Sequence, residues 1–385
     1  MNAGKYIFSQ LVEFLPQRVF DNIVKKYDGN KYVKHFTCWN QLLAMMFGQL
    51  SNRESLRDLI CTINAHSKKL YHLGMGKSIT RSNLGKANEK RNPKIFEEFA
   101  YYMIEMARTR RKNKDFEIDG QVYAFDSTTI DLCLNIFWWA KFRKNKGGVK
   151  LHTLYDVNTS IPSYIHITPA LVHDVNAMDA IPYEAEAYYV FDRGYYDLKR
   201  LKKINDIGAF FVIRPKRTTH YIPVEIRDTK HNANGILSDD IVEFETQIAS
   251  RRYGSKIRRV IYYSSELNKT FVYLTNNFEI FAERVALLYK KRWEVELFFK
   301  WIKQHLKIKS FWESSENAVR IQIYSAIIAY CMVAIVEHDL QLNRSTYEVL
   351  RIFSASLLDK TYIRTLFFDE EIKVQDNRQL SLKFF

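Results

Sequence analysis

The chain has 385 residues, and at roughly 150 residues per domain this length predicts two or three domains. Its content of 47% hydrophobic and 15% aromatic residues allows a large core, which excludes a marginal miniprotein and global disorder. The 58 basic residues outnumber the 43 acidic ones, and the resulting net charge of +15 points to a polyanionic partner, either nucleic acid or an anionic membrane surface.

Residues 1–115 are predicted to form an all-helical N-terminal domain. Apolar residues recur at helical spacing in three stretches, QLVEFLPQRVFDNIVKKY, CWNQLLAMMFGQLSNRESLRDLICTIN and NPKIFEEFAYYMIEMARTR. The segments SNRESLRDLICTINA and SITRSNLGKANEKR are compatible with a helix-turn-helix-like DNA reader, and an ordinary helical bundle is the alternative. The first twenty residues lack the uninterrupted apolar core of a signal peptide.

The composition changes after the basic run RTRRKNK, Arg108 to Lys114. The β-rich runs QVYAFDS, VKLHTLYDV, SYIHITP, AYYVFDRGY and AFFVIRP follow, with a helical YYDLKRLKKIND between the last two, and predict an α/β domain over residues 116–345. Residues 216–277 are predicted to form an all-β insertion, and the helical period returns from Ala282. Residues 346–385 are predicted to form a C-terminal helix and tail, a candidate dimerisation segment.

The most apolar stretch, Ile321 to Val336, is predicted to be a buried helix rather than a membrane span. It is short and carries Gln322 and Ser325. The four cysteines are scattered, without a CxxC pair or a paired-histidine partner, so neither a disulfide framework nor a zinc finger is indicated. A reducing cytoplasm fits this pattern best.

Two aspartates stand at the ends of apolar runs, Asp126 in VYAFDS and Asp192 in YYVFDR. Each carboxylate is therefore expected at the edge of a buried sheet. Taken singly, such an acid can also cap a turn or pair with an arginine.

A third carboxylate lies on a predicted helix, YKKRWEVELFFKWIK. Tyr289, Glu296 and Lys303 are separated by seven residues each, close to two helical turns, and Arg292 joins the same face. A generic amphipathic helix explains much of this pattern, but not a polar seam between tryptophans, phenylalanines and leucines.

Three converging carboxylates would require cations. At a separation of about 4 Å and an effective dielectric of 20, each pair of charges repels by about 4 kcal/mol. Carboxylate oxygens suit Mg²⁺ or Mn²⁺, and two such ions support in-line phosphoryl transfer. Asp126, Asp192 and Glu296 are the candidate metal ligands and catalytic residues.

The spacing Y-x₂-R-x₃-E-x₆-K, together with DSTT at Asp126 and DRGYYD at Asp192, closely resembles the DDE transposases of the IS-four insertion-sequence family. The blocks QLVEFLP, CWNQLLAMM, SLRDL, YHLG and ANEKR resemble the helical N-terminal domain in one branch of that family. The resemblance implies a ribonuclease-H-like catalytic core with a β-strand insertion between the second aspartate and the glutamate. It also implies a metal-dependent DNA transposase using two Mg²⁺ ions, with Mn²⁺ as a substitute.

The resemblance also implies roles for residues around the three acids. Tyr289, Arg292 and Lys303 are expected to contact phosphates of the transposon end, and Trp293 to stack near a flipped base, with a core tryptophan as the alternative. The predicted DNA-contacting set is completed by Lys300, Arg193, Lys150 and His152. His173-Asp174 either lines the cleft or starts a capped helix. Basic stretches at 108–114, 141–150, 199–203 and 251–259 are candidates for a DNA track.

The implied reaction is cut-and-paste transposition: nicking at the terminal inverted repeat, hairpin formation, hairpin opening and joining to target DNA. A homodimer is expected, because two transposon ends must be brought together. No membrane association is expected. The expected location is the bacterial cytoplasm, at the nucleoid. Two alternatives stay open, a ribonuclease-H-like nuclease that does not join strands and an inactive, transposase-derived DNA-binding protein.

Overall fold

A computed structural model describes residues 4–76, 79–111, 120–133, 137–143, 146–227, 235–306 and 311–368. The predicted domain boundary near residue 115 lies outside these ranges. So do the end of the basic run 108–114, parts of the basic stretch 141–150 and of the predicted insertion, and most of the predicted C-terminal tail.

The helices of the described chain often begin at a side-chain cap. Thr37, Ser55 and Thr80 each accept a hydrogen bond from the backbone amide three residues ahead, which satisfies an orphan donor of the first turn. The α-helices are α1 (Ile7–Val12), α2 (Gln17–Lys26), α3 (Cys38–Leu50), α4 (Leu56–Ala65), α5 (Arg81–Lys90), α6 (Lys94–Arg111), α7 (Leu198–Asp206), α8 (Gln247–Tyr253), α9 (Ala282–Lys291), α10 (Trp293–His305), α11 (Glu316–Asp339) and α12 (Thr346–Ser356).

One large mixed sheet forms the centre of the α/β part. Its strands are β1 (Val122–Leu132), β2 (Lys141–Arg143), β3 (Lys146–Asp156), β4 (Ile161–Pro169), β5 (Tyr188–Phe191), β6 (Phe210–Ile213), β7 (Tyr221–Ile226), β8 (Ile236–Phe244), β9 (Ile257–Ser264) and β10 (Lys269–Thr275). The order is β2-β3-β1-β5-β6-β10-β9-β8-β7, with β4 also paired to β3. Strands β5 and β6 run parallel to β1, whereas β3 is antiparallel to it. The predicted α/β class is confirmed.

The segment predicted as an all-β insertion supplies four strands of this sheet. Strands β7 to β10 form an antiparallel ladder, and β10 joins it to β6. The all-β prediction is wrong for Gln247–Tyr253, which forms α8. Thr246 caps the start of this helix, and Gly254, at φ +79°, ends it in the left-handed conformation that glycine adopts at low cost.

The two faces of the sheet pack against different apolar clusters. Val122, Ala124 and Ile130 of β1 join the large cluster that contains the N-terminal helices, α10 and α11. Tyr123 and Phe125 point to the opposite face and pack with residues around α7. This alternation determines which side chains of β1 can meet α10.

Helix α11 is the central core helix. By length and composition it is apolar enough to span a bilayer, yet 94% of its most apolar window is buried against the rest of the chain. It packs against α6, α3, α5 and α12. The prediction of a buried helix is confirmed.

Helices α1 to α6 form a bundle that shares its core with the C-terminal helices. Helices α4 and α5 are joined by residues 66–80, far longer than the three- or four-residue turn of a helix-turn-helix. The bundle alternative therefore describes this region better. Near the C-terminus, the amides of Ile7 and Phe8 donate to the carbonyls of Asp359 and Leu357, so the two ends of the described chain lie together.

Candidate active site

Asp126 and Asp192 occupy matched positions on neighbouring parallel strands. The register pairs Phe125 of β1 with Phe191 of β5, and each of these phenylalanines is followed directly by an aspartate in the sequence. Asp192 directly follows β5 and caps the 3₁₀ helix Arg193–Tyr195, because its carboxylate accepts the amide of Gly194. The predicted strand-end position holds for Asp192 and is wrong for Asp126, which lies inside β1 and pairs with Thr153 of β3. The two acids are nevertheless neighbours, because β5 ends beside Asp126.

The polar seam predicted on one continuous helix spans two helices that meet at Arg292. Helix α9 ends at Lys291 and α10 begins at Trp293, although Arg292 keeps helical dihedral angles of φ −52° and ψ −31°. The single-helix prediction is thus wrong at this junction. Arg292, at the junction, still contacts Asp126 of β1 and Glu296 of α10.

Arg292 bridges two of the three predicted acids. Its Nη1 lies 2.9 Å from Oδ2 of Asp126, and its Nη2 donates to Oε1 of Glu296. The side chain of Arg292 is only 13% exposed, and that of Asp126 is 19% exposed. The guanidinium therefore brings the β1 and α10 carboxylates to one place.

The surroundings of the Asp126 carboxylate disfavour its ionisation. Burial, and after it the negative charges of Asp192 and Glu296, raise the pKa of Asp126 to about 6. The amide of Ser127, which donates to Oδ1 at 2.8 Å, and the charge of Arg292 act in the opposite direction. All three predicted acids are thus electrostatically coupled, and a single arginine does not offset the burial.

The remaining residues of the seam lie around this cluster. Tyr289 packs against Tyr273, with ring centroids 4.7 Å apart, and burial raises its pKa. Lys303 donates from Nζ to the carbonyl of Thr129 at 3.0 Å and so ties α10 to β1. Trp293 is 56% exposed in the first turn of α10, which makes it available for stacking and excludes the core-tryptophan alternative.

Three further predicted DNA contacts differ in accessibility. Lys300 is exposed on α10. Arg193 is half-buried, and within the described residues its Nε has no hydrogen-bond partner. The side chain of Lys150 is 11% exposed and its Nζ is bonded to Asp174 at 3.0 Å and to the carbonyl of Val172 at 2.8 Å.

His152 does not support its predicted role. It is fully buried, its Nε2 lies 2.9 Å from Oγ1 of Thr168, and burial lowers its pKa to about 4. It is paired with Ser127 across β1 and β3, on the face opposite to Asp126. A neutral core histidine on that face cannot touch a DNA backbone, so we do not retain it as a DNA contact.

The basic stretch 251–259 is only partly a surface. Arg258 is fully buried and forms two hydrogen bonds with the carboxylate of Asp239, at 2.8 and 2.7 Å. Arg251 and Arg252 are exposed on α8. Lys256 is also exposed, so Arg251, Arg252 and Lys256 are available to a polyanion, whereas Arg258 is not.

Sequence patterns alone did not connect Ser127 with Asp174. Oγ of Ser127 donates to Oδ1 of Asp174 at 2.8 Å, and Asp174 begins a 3₁₀ helix that ends at Ala180. His173 precedes this helix and makes no side-chain cap. The only available signal was the His-Asp dipeptide, for which a helix start was one of the two alternatives.

The donor set of this site suits hard divalent cations. Among the residues that the structure describes, no group of three or more histidine, cysteine or acidic side chains is gathered closely enough to hold an ion as it stands. However, Arg292 lies between two of the coupled acids, and the pKa of Asp126 stays high beside it. Carboxylate oxygens that still lack sufficient positive charge are the ligands that Mg²⁺ and Mn²⁺ prefer.

Comparison with known proteins shows the family. Residues 117–332 match the Transposase DDE domain, a segment that contains Asp126, Asp192 and Glu296. The chain belongs to the DDE transposase family. This transposase is an enzyme that acts on DNA, and its family generally uses divalent metal ions. Residues 3–76 match a second family, described as a domain of unknown function (DUF4372). The predicted resemblance is confirmed.

Three relatives are themselves named as transposases. Transposase y4zB of Sinorhizobium fredii is 35% identical over 273 residues, which cover 70% of this chain and 74% of the relative. A transposase for insertion sequence element IS5377 from Geobacillus stearothermophilus is 29% identical over 225 residues, covering 58% and 59%. A transposase for element IS4SA from Synechocystis is 26% identical over 303 residues, covering 76% and 82%.

Proposed function

We propose that this transposase catalyses cut-and-paste transposition of its own insertion sequence, by nicking, hairpin formation and strand transfer at terminal inverted repeats. The observation that carries the proposal is the convergence of Asp126, on β1, with Glu296, on α10, through Arg292, beside Asp192 at the matched position of β5. Pure DNA binding does not require three coupled acids. The relatives named for insertion sequence elements support the same assignment.

Asp126, Asp192 and Glu296 would hold two Mg²⁺ ions, or Mn²⁺ in their place. When bound, such ions polarise the reacting phosphate and activate the attacking oxygen. The chain contributes the three carboxylates and their orientation. Because Arg292 is bonded to two of them, ion binding at this site requires the guanidinium to give up at least one carboxylate.

Arg292 would then be available for a phosphate of the transposon end. We assign phosphate contacts to Tyr289, Arg193, Lys300 and Lys303 as well. Tyr289 contacts Arg292, Arg193 directly follows Asp192, and both lysines lie on α10 after Glu296. Lys150 belongs to this set only if DNA passes around the sheet edge, because its side chain lies on the opposite face. Exposed Trp293 is suited to stack on an unpaired base of the hairpin intermediate.

The strand order supports a ribonuclease-H-like core for this site. Strands β4, β3 and β1 are antiparallel neighbours, and β5 and β6 follow parallel to β1. The catalytic acids then come from β1, β5 and a helix after the inserted strands. We assign the helical N-terminal domain, residues 1–115, to DNA binding, residues 116–345 to catalysis and residues 346–385 to dimerisation, in a homodimer acting at the bacterial nucleoid.

The test is incubation of the purified protein with a labelled duplex that carries the flanking inverted repeat, with Mg²⁺ or EDTA, followed by a denaturing gel. Nicked, hairpin and joined products that depend on Mg²⁺ are expected. Nicked products without hairpin or joining would instead identify a nuclease. Salt-sensitive binding without any cleavage would identify a transposase-derived DNA-binding protein.

A further inference from the structure

Behind the proposed active site, on the opposite face of the sheet, lies a second polar cluster formed by Ser127, Lys150 and Asp174. Oδ1 of Asp174 accepts Oγ of Ser127 at 2.8 Å and lies 3.0 Å from Nζ of Lys150. Nζ of Lys150 also donates to the carbonyl of Val172 at 2.8 Å. Three separate segments, β1, β3 and the chain after β4, are therefore joined at one carboxylate oxygen.

We propose that Asp174 is a positioning residue for the catalytic aspartates, acting through Ser127 on Asp126. The inference rests on the proposed function, because it assigns a task to the site described above. Ser127 follows Asp126, and side chains of consecutive strand residues point to opposite faces. Asp174 thus holds the strand from behind while Asp126 faces Arg292 and Glu296.

The connection to Asp126 is a direct hydrogen bond. The amide of Ser127 donates to Oδ1 of Asp126 at 2.8 Å. A fixed Ser127 side chain restricts the peptide plane between the two residues, and with it the direction of this amide. The orientation of the Asp126 carboxylate therefore depends on a hydroxyl group that lies on the other side of the sheet.

The same segment also supports Asp192. The 3₁₀ helix that starts at Asp174 inserts Ala177 and Met178 into the apolar cluster that contains Tyr195 and Tyr196. Tyr195 is the last residue of the 3₁₀ helix that Asp192 caps, and Tyr196 follows it. One short segment thus packs against the turn at Asp192 and bonds to β1 next to Asp126.

Lys150 lets Asp174 perform this task without adding a net charge to the site. An unpaired carboxylate behind β1 would increase the repulsion among Asp126, Asp192 and Glu296. With Lys150 at 3.0 Å, the pair is neutral as a unit. Lys150 is on this account a partner of Asp174 rather than a phosphate contact.

The test is a double-mutant cycle of Ser127→Ala and Asp174→Ala in the full chain. The readouts are the single-turnover rate of strand cleavage, the affinity for the terminal duplex, thermal unfolding, and binding of Mn²⁺ without DNA by electron paramagnetic resonance. The matched control is Asp179→Ala. Asp179 lies on the same 3₁₀ helix and is exposed to a similar degree, 52% against 41% for Asp174, but it pairs with Arg200 of α7 instead of with β1 and β3.

Each single variant is expected to lower the cleavage rate and the Mn²⁺ affinity by about tenfold. The double variant is expected to lower them no further than a single variant does, because both substitutions break the same contact. DNA affinity should match that of Asp179→Ala, and so should the unfolding temperature of Ser127→Ala. Asp174→Ala also removes the partner of Lys150, whose side chain is 11% exposed, and should unfold at a lower temperature. Asp174→Asn keeps an acceptor for Ser127 and should recover part of the rate.

Two results separate the inference from the proposed function. If the parent protein cleaves and Asp174→Ala behaves like Asp179→Ala, or if the two single effects are additive, the positioning role is overturned. If the parent protein does not cleave while Asp174→Ala still weakens Mn²⁺ binding, the positioning role stands and the proposed transposition activity fails.

Discussion

Replacing Asp126 by asparagine should stabilise the metal-free protein while it removes activity. Burial raises the pKa of Asp126 to about 6, from 3.8 for an ordinary aspartate. At neutral pH Asp126 is ionised in both states, and its ionisation costs more free energy in the folded state than in the unfolded chain. The gap of about two pH units corresponds to about 3 kcal/mol of unfolding free energy, at about 1.4 kcal/mol per unit.

The sign follows from proton linkage. Between about pH 4 and pH 6 the folded state binds the extra proton, so this contribution to stability is complete below pH 4 and is lost as the pH rises through 6. Asparagine resembles the protonated acid and does not titrate. Asp126→Asn should consequently be more stable than the parent at pH 7.5, by up to about 3 kcal/mol, and equally stable near pH 4.

Urea unfolding at pH 4 and pH 7.5 without divalent ions measures this difference. Asp131→Asn serves as the control, because Asp131 is exposed on the same strand and should change stability little at either pH. Added Mg²⁺ should stabilise the parent but not Asp126→Asn. Equal free energies of unfolding for the parent and Asp126→Asn at pH 7.5 would refute the claim that the folded state disfavours ionisation of this carboxylate.

Two further variants test other parts of the structure. Asp239→Asn should destabilise the protein by about 3 to 5 kcal/mol in urea unfolding, because it leaves the buried guanidinium of Arg258 without its carboxylate partner. The control Glu266→Gln, at an exposed ion pair, should change the free energy of unfolding by less than about 1 kcal/mol. Similar effects of the two substitutions would contradict the burial of the Arg258–Asp239 pair. Trp293→Ala should reduce the yield of hairpin product by about tenfold or more without changing the unfolding temperature. The control Tyr32→Ala, at another exposed aromatic residue, should leave both the hairpin yield and the unfolding temperature unchanged. An unchanged hairpin yield in Trp293→Ala would show that Trp293 is not part of the site.

The sequence was informative where one strand or one helix carries the signal. Asp126 and Asp192 each end an apolar run, and parallel neighbouring strands place such residues beside each other. The continuation of β1 past Asp126 could not be predicted, because its residues after Asp126 are mostly polar. The spacing of Tyr289, Arg292 and Glu296 predicted a shared helical face without any knowledge of the partner strand. The break at Arg292 escaped this reasoning, because its dihedral angles remain helical and no glycine or proline marks it.

Contacts between distant segments could not be predicted in this way. Ser127 and Asp174 are 47 residues apart, and only the packing of the 3₁₀ helix brings them together. Residues 108–114 and 251–259 looked like exposed basic stretches, yet each contains a buried arginine, Arg111 paired with Glu337 and Arg258 with Asp239. The prediction for His152 failed for a similar reason, since strand alternation indicates two faces but not which one meets α10.

The most direct test of the account compares Glu296→Gln with Glu294→Gln. Both glutamates lie in the first turn of α10, but Glu296 is bonded to Arg292 near Asp126, whereas Glu294 pairs with Lys291. Single-turnover cleavage of the labelled terminal duplex in Mg²⁺ should fall by about three orders of magnitude or more in Glu296→Gln with DNA binding retained, and stay within about twofold in Glu294→Gln. Cleavage by Glu296→Gln at the parent rate would show that the three acids are not the catalytic centre.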